Sequence, residues 1–271
     1  MCRGVKRIVL FAAYVLSVCL AFMGCQAGNI SASVSDRSAV CIIGASIACP
    51  ENTWFEMSCE QLGVQPINKA QGWGTRPSHD AVSMAEGTLF ASGEQDSFEV
   101  LAIMHCHNVD VLDETKLLPD YRSYELSTTM DYTQAYDYII RSYIDACRAL
   151  EFDDMSKWYG VAGGKPVRIV LCTYWHDARE RFNESIRRLR NKWSDYATLC
   201  AFDEHIGFTK DVPNPVTGEQ ESLQYAQNGF GDTEEIDGVV YGWHPTRGRG
   251  SEIQKRMARI FADVVAPLIQ E

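Results

Sequence analysis

The sequence predicts an α/β chain, a three-layer α/β/α sandwich built on a mostly parallel sheet of five strands. Three observations carry that expectation. Short apolar runs recur at 40–43 (VCII), 64–67 (VQPI), 98–104 (FEVLAIM), 167–174 (VRIVLCTY) and 198–202 (TLCAF). Stretches with helical spacing lie between them, as strand–helix–strand crossovers require. Most of the runs end in small or polar residues, including Gly44-Ala45-Ser46, Asn68 to Gly74, His105 onward and Trp175-His176-Asp177. Polar chemistry therefore collects at the carboxyl ends of the strands, where open α/β sheets bind ligands.

The first run is β-branched and unbroken, as expected of a strand covered on both faces. It stops at Gly44, and Ser46 stands at the break. Trp54, Met57, Ser58 and Leu62 recur at spacings of three and four, so a helix is expected to begin just beyond Ser46, with its first amides facing an anion. The second run closes in a Gly-rich turn. Pro77 then marks a helix start carrying Val82, Met84, Ala85 and Leu89. The third run is the strongest strand signal, and it leads directly into His105-Cys106-His107-Asn108-Val109-Asp110. Residues 113–130 read as an acidic surface excursion, and 132–150 as a long amphipathic helix with Ala135, Tyr138, Ile139 and Ile144. Gly163-Gly164 turns the chain into the fourth strand. A charged helix through Ile186 and Leu189 leads to the fifth, 210–231 is expected to be a long loop, and a helix over 251–269 closes the chain.

Length and composition indicate one domain after a targeting segment. A chain of 271 residues that is 46% hydrophobic and 11% aromatic can bury one substantial core. Residues 1–25 carry Arg3, Lys6 and Arg7, an uncharged apolar run over 8–23, and then Gly24-Cys25, the order of a secretory signal. A small residue before that cysteine resembles a bacterial lipoprotein processing site, although Phe22 and Met23 fit such a site imperfectly. The resemblance implies cleavage to a lipidated Cys25 and a tether over 26–37, rich in Ser, Gly and Ala, ahead of a domain over 38–271. It also implies export and anchorage to a bacterial (outer) membrane. Cleavage removes three cations and no acidic residue, so the formal charge moves from −11 to −14. Nucleic acid is not an expected partner, because the dense basic runs at 179–192 and 247–259 read as solvated helix faces. Seven cysteines would remain besides Cys25, an odd number. Several fall inside apolar strands, so no disulfide framework is expected.

Taken together, Gly44-Ala45-Ser46, the block from Asn68 to Thr75, His107-Asn108-Val109-Asp110 and Trp243-His244-Pro245 resemble the four blocks of the SGNH (GDSL-type) hydrolases. They occur in the same order across residues 39–269. The resemblance implies a flavodoxin-like sheet and a serine ester hydrolase without a cofactor. Ser46 would be the nucleophile and His244 the base. Ser46 N–H, the N–H of Gly72 or Gly74, and the Asn108 side chain would receive the oxyanion. The chain departs from the pattern at Ala45, where the family has Asp, and at Cys106, where it has Gly. It also departs at Tyr241, which occupies the usual place of the orienting acid three residues before the histidine. Asp237, seven residues upstream, is the nearest acidic residue. The alternatives are a triad with Asp237, a Ser46–His244 dyad, or a dead site. The expected substrate is an O-acyl ester, acetyl among the options, of a carbohydrate or another small polar molecule. The rival reading is a glycan-binding or scaffold protein without catalysis.

Other polar and aromatic residues have blander alternatives. His105, His107, Asp110, His176 and Asp177 fall near strand ends and would suit a metal, but hydrogen-bonded structural histidines are the commoner outcome, and no metal is expected. Trp54, Trp73, Trp175 and Trp243 would suit stacking on a sugar or packing in the core, with Trp54 assigned to the core by its helical spacing. Arg247 and Arg249 read as a solvated helix start.

Overall fold

A computed structural model describes residues 38–270, except Trp73, 106–111, 206–210, 214–219, 223–232 and Asp237. Residues 38–271 form a compact unit of their own. Five parallel strands make its sheet: β1 (Ala39–Gly44), β2 (Gln65–Asn68), β3 (Val100–Met104), β4 (Ile169–Cys172) and β5 (Ala197–Cys200), in the order β2-β1-β3-β4-β5. That is the flavodoxin-like order, which reverses direction beside β1 and opens a crevice between the carboxyl ends of β1 and β3. The register is continuous across it, from Ile42 beside Asn68 to Gly44 beside Met104. β1, β3 and β4 are buried along their whole length, which explains why they read as unbroken apolar runs.

Helices cover both faces. α1 (Trp54–Leu62) packs on the final helix, and the rings of Trp54 and Phe55 lie 5.3 and 5.8 Å from that of Phe261. On the other face α2 (Pro77–Ala85) packs on α3 (Tyr132–Ala149). α4 (Glu180–Lys192) joins them there through Phe182, 6.1 Å from Tyr132. This division is what right-handed crossovers dictate when the strand order moves one way to β2 and the other way through β3, β4 and β5.

Two expectations need correction. The helix after β1 begins at Trp54, eight residues beyond Ser46. Ser46 itself sits in a tight turn closed by Ala48 N–H to Ala45 O (2.9 Å) and Cys49 N–H to Ser46 O (3.3 Å). Pro50 lies in the intervening stretch, and Thr53 holds φ 76°, unusual for a β-branched residue, at the corner where α1 starts. The amino terminus of α1 therefore does not begin at Ser46. The expected loop over 210–231 contains the ribbon β6 (Asp211–Pro213) paired with β7 (Gln220–Ser222). A second hairpin, β8 (Thr233–Ile236) with β9 (Val239–Gly242), delivers the chain to Trp243 and His244. α5 (Glu252–Gln270) then closes the fold on the face of α1.

Candidate active site

The turn carrying Ser46 is built by close backbone contact. Ala45 N–H donates to Met104 O at 3.0 Å, drawing the end of β1 against the end of β3. A Cβ on Gly44 would lie 2.4 Å from that same oxygen, so only glycine fits there. The Ser46 carbonyl accepts from the Cys49 thiol (2.8 Å) and from Asn52 Nδ2 (2.6 Å) as well as from Cys49 N–H. Burial pushes the Cys49 thiol up to about 12, so it stays protonated as a donor and is not a competing nucleophile. The Ser46 N–H has no hydrogen-bond partner among the described residues.

Ser46 Oγ lies 2.7 Å from His244 Nε2, and both residues are half-buried. They are 198 positions apart in sequence. That is the distance a nucleophile–base pair requires. Two independent clamps hold the histidine segment. On one side the Trp243 carbonyl accepts from Tyr174 Oη and from Trp175 Nε1 (3.2 Å), both at the end of β4. On the other, Gln254 Nε2 on α5 donates to Thr246 O (3.1 Å) and to Asn52 Oδ1 (3.3 Å). Asn52 and Gln254 are fully buried, so a single amide chain joins the Ser46 carbonyl to the segment carrying His244.

Neither clamp was anticipated from sequence, yet one signal was available. Gln254 falls on the buried stripe of α5 with Ile253, Met257, Ala258 and Phe261, and a polar side chain in an apolar stripe must find partners. Gln254→Leu keeps the volume but removes a donor from the buried Asn52 Oδ1 and from the Thr246 carbonyl, a loss of about 1–3 kcal/mol. We expect a lower melting temperature together with a fall in kcat and little change in KM, read on p-nitrophenyl acetate.

The second block is braced against the same turn. Asn68 Nδ2 donates to Ala48 O (2.9 Å) and to Glu56 Oε1 (2.8 Å), while Gln71 N–H donates to Gly44 O (3.0 Å). Gly72 follows directly, and Gly74 holds φ 85°. The N–H groups of both glycines are uncommitted among the described residues, and neither would lose packing space to a Cβ. Gly72 adjoins the residue bonded to Gly44. Asn108 and Asp237 lie outside the described residues, as do His107, Asp110, Trp73, Cys106 and Cys25.

Two other candidate histidines, His105 and His176, take structural partners. His105, fully buried at the end of β3, places Nε2 2.7 Å from Asp80 Oδ2 of α2. His176 stacks on Tyr241 at 4.8 Å and lies 3.3 Å from Glu234 Oε1. Burial holds the His176 imidazole below its ordinary pKa despite that carboxylate. Arg179 grips Glu234 through Nε (3.1 Å) and Nη2 (2.6 Å) and lies over the faces of Tyr174 and Trp243. Burial raises the Glu234 carboxyl, but His176 and Arg179 outweigh it and the net shift is downward. The carboxylate paired in register with Tyr241 is thus already engaged. Among the described residues no group of three or more His, Cys, Asp or Glu is placed to hold a metal. Trp175 is fully buried and belongs to the core with Trp54, whereas Trp243 keeps part of its surface. The six described cysteines are all buried free thiols.

Among solved structures the chain is similar to a protein described as lipolytic and of the G-D-S-L family from Desulfitobacterium hafniense DCB-2. The two share 13% identity with a TM-score of 0.42, over 84% of this chain and 99% of that one. It is also similar to an acetyl xylan esterase from the rumen bacterium Butyrivibrio proteoclasticus, at 13% identity and TM-score 0.41, over 90% of this chain and 66% of the other. These likenesses are loose, and the chemistry of the site rests on its own residues. No curated protein matches. A family model does match residues 38–269, nearly the whole compact unit, and by that match the chain belongs to the family described as domain of unknown function DUF5040.

Proposed function

We propose that this chain is a serine esterase that removes an acyl group, acetyl being the first candidate, from an oxygen of a carbohydrate or another small polar alcohol. The observation that carries the reading is the 2.7 Å contact between Ser46 Oγ and His244 Nε2 at the carboxyl edge of a parallel sheet. A serine hydroxyl is a weak nucleophile at neutral pH and becomes competent when an imidazole takes its proton during attack.

In this reading His244 is neutral, with its lone pair on Nε2. Ser46 Oγ attacks the ester carbonyl carbon as its proton passes to Nε2. The oxyanion of the tetrahedral intermediate sits on the N–H groups of Ser46 and Gly72, with the Asn108 amide as the third donor; each such donor is worth about 3 kcal/mol of barrier. Collapse expels the alcohol, which leaves with the proton from His244. Water then attacks the acyl-serine with His244 again as base, and the free acid departs as Ser46 recovers its proton. The pinned Trp243 and Thr246 carbonyls keep the imidazole in place through both halves.

The basic residues, apolar run and Gly24-Cys25 at the start of the sequence support export and a lipid anchor on Cys25. Cys25→Ser tests that part, and unchanged processing and membrane partition in the variant would reject it. For the chemistry, the test is acetate release from acetylated xylo- and glucosaccharides beside butyryl and octanoyl p-nitrophenyl esters. Release of acetate, absent in Ser46→Ala, supports the reading. Glycan binding by the wild-type chain with no turnover of any ester would replace it with a binding protein.

A further inference from the structure

Among the described residues, four of the six exposed large hydrophobic side chains fall in one ten-residue stretch between α3 and β4: Phe152 at 78% exposure, Met155 at 88%, Tyr159 at 60% and Val161 at 43%. The stretch is built, not loose. Gly160 N–H donates to Glu151 O and Gly163 N–H to Glu151 Oε2, each at 2.8 Å. Ser156 Oγ donates to Asp96 Oδ1 at 2.9 Å and accepts from Trp158 N–H at 3.0 Å. A rigid loop that displays a phenylalanine, a methionine and a tyrosine to solvent is the kind of patch that marks an interaction surface.

Its position narrows the occupant. The stretch leads into β4 and so lies at the amino-terminal edge of the sheet, where β1 also begins. Glu99 N–H bonds Ala39 O at 2.8 Å, and the Glu99 carboxylate receives Lys157 Nζ at 3.3 Å. The loop is therefore one residue removed from the point where the chain leaves the compact unit at Ser38. In the lipidated chain proposed above, residues 26–37 separate Ser38 from Cys25, and a Gly/Ser-rich tether of that length would span roughly 20 Å. A lipid on Cys25 would thus hold the amino-terminal edge, and this loop, close to the bilayer. Ser46 and His244 lie at the carboxyl edge, on the far side of the sheet.

We infer that the loop around Phe152, Met155 and Tyr159 docks on the lipid surface to which Cys25 anchors the chain, holding the Ser46 site outward toward glycan esters of the envelope and away from the lipids of its own membrane. This rests on the lipid anchor proposed above. Asp153 and Asp154 are exposed in the same stretch, which keeps the insertion at the interfacial level.

Trp158, half-buried in the loop, is a built-in probe. The lipidated chain, purified from membranes and reconstituted into phosphatidylcholine vesicles containing brominated acyl chains, should show a quenched component of tryptophan emission. That component should be lost in Trp158→Phe. It should also be lost in the double variant Phe152→Ser, Met155→Ser, with hydrolysis of p-nitrophenyl acetate unchanged. Unquenched emission from acylated, vesicle-bound chain overturns the docking face alone. A dimer in detergent that the double variant abolishes overturns it too, because the occupant is then a second copy. An N-terminal peptide with no acyl mass removes the anchor, and the inference falls with it, whatever the esterase assay shows.

Discussion

Ser46→Ala is expected to abolish ester hydrolysis, a loss of at least about four orders of magnitude in kcat, while the protein stays folded. Removal of the nucleophile from a well-studied serine hydrolase costs on the order of 10⁶ in kcat, because attack, acyl transfer and base catalysis fail together. The structural cost is small. Ser46 is half-buried, and what its side chain contributes to the fold is the bond to His244, on the order of 1 kcal/mol. The carbonyl bonds from Cys49 and Asn52 survive the substitution, so the turn persists. The melting temperature should therefore move by no more than about 5 °C. Hydrolysis persisting at the wild-type rate would exclude Ser46 as the nucleophile.

Asp237→Asn should lower kcat by about four orders of magnitude if Asp237 orients His244, the cost of that replacement in a measured triad. KM should move little, because the carboxylate acts on the imidazolium formed during attack and not on bound substrate. A dyad gives a different pattern, in which Asp237→Asn is nearly silent and His244→Ala is not. The surroundings narrow the choice of acid. Tyr241 has a phenol that stays neutral near pH 7 and can only hydrogen-bond. Glu234, paired in register with Tyr241, is committed to Arg179 and His176. An effect of Asp237→Asn below tenfold, with His244→Ala inactive, would establish the dyad.

Much of this was legible in the sequence, for physical reasons. Strands covered on both faces must be apolar at every position, so β1, β3 and β4 appeared as runs without needing any partner to be known. Gly44 was legible because the chain stops being apolar there, although its reason, the Met104 carbonyl, lies on another strand. The ribbon of β6 and β7 was not legible, since strands of three residues containing Pro213, Glu221 and Ser222 show no alternation of apolar and polar positions. The start of α1 was misplaced because the spacing from Trp54 to Leu62 extrapolates back toward Ser46 unless Pro50 is read as the break. The amide chain from Asn52 to Gln254 spans 202 positions, and no local period records a contact of that range. What periodicity does record is the anomaly of a glutamine inside an apolar stripe, and that anomaly marked a residue holding the site together.

The central claim is that Ser46 is an activated nucleophile with His244 as its base. The most direct measurement is mass spectrometry of the protein after exposure to a fluorophosphonate, which phosphonylates serines activated by a neighbouring base and leaves ordinary serines alone. The account predicts one adduct per chain, on the peptide carrying Ser46, formed at a rate that collapses in His244→Ala. No adduct, or an adduct on another serine with Ser46 untouched, would contradict it.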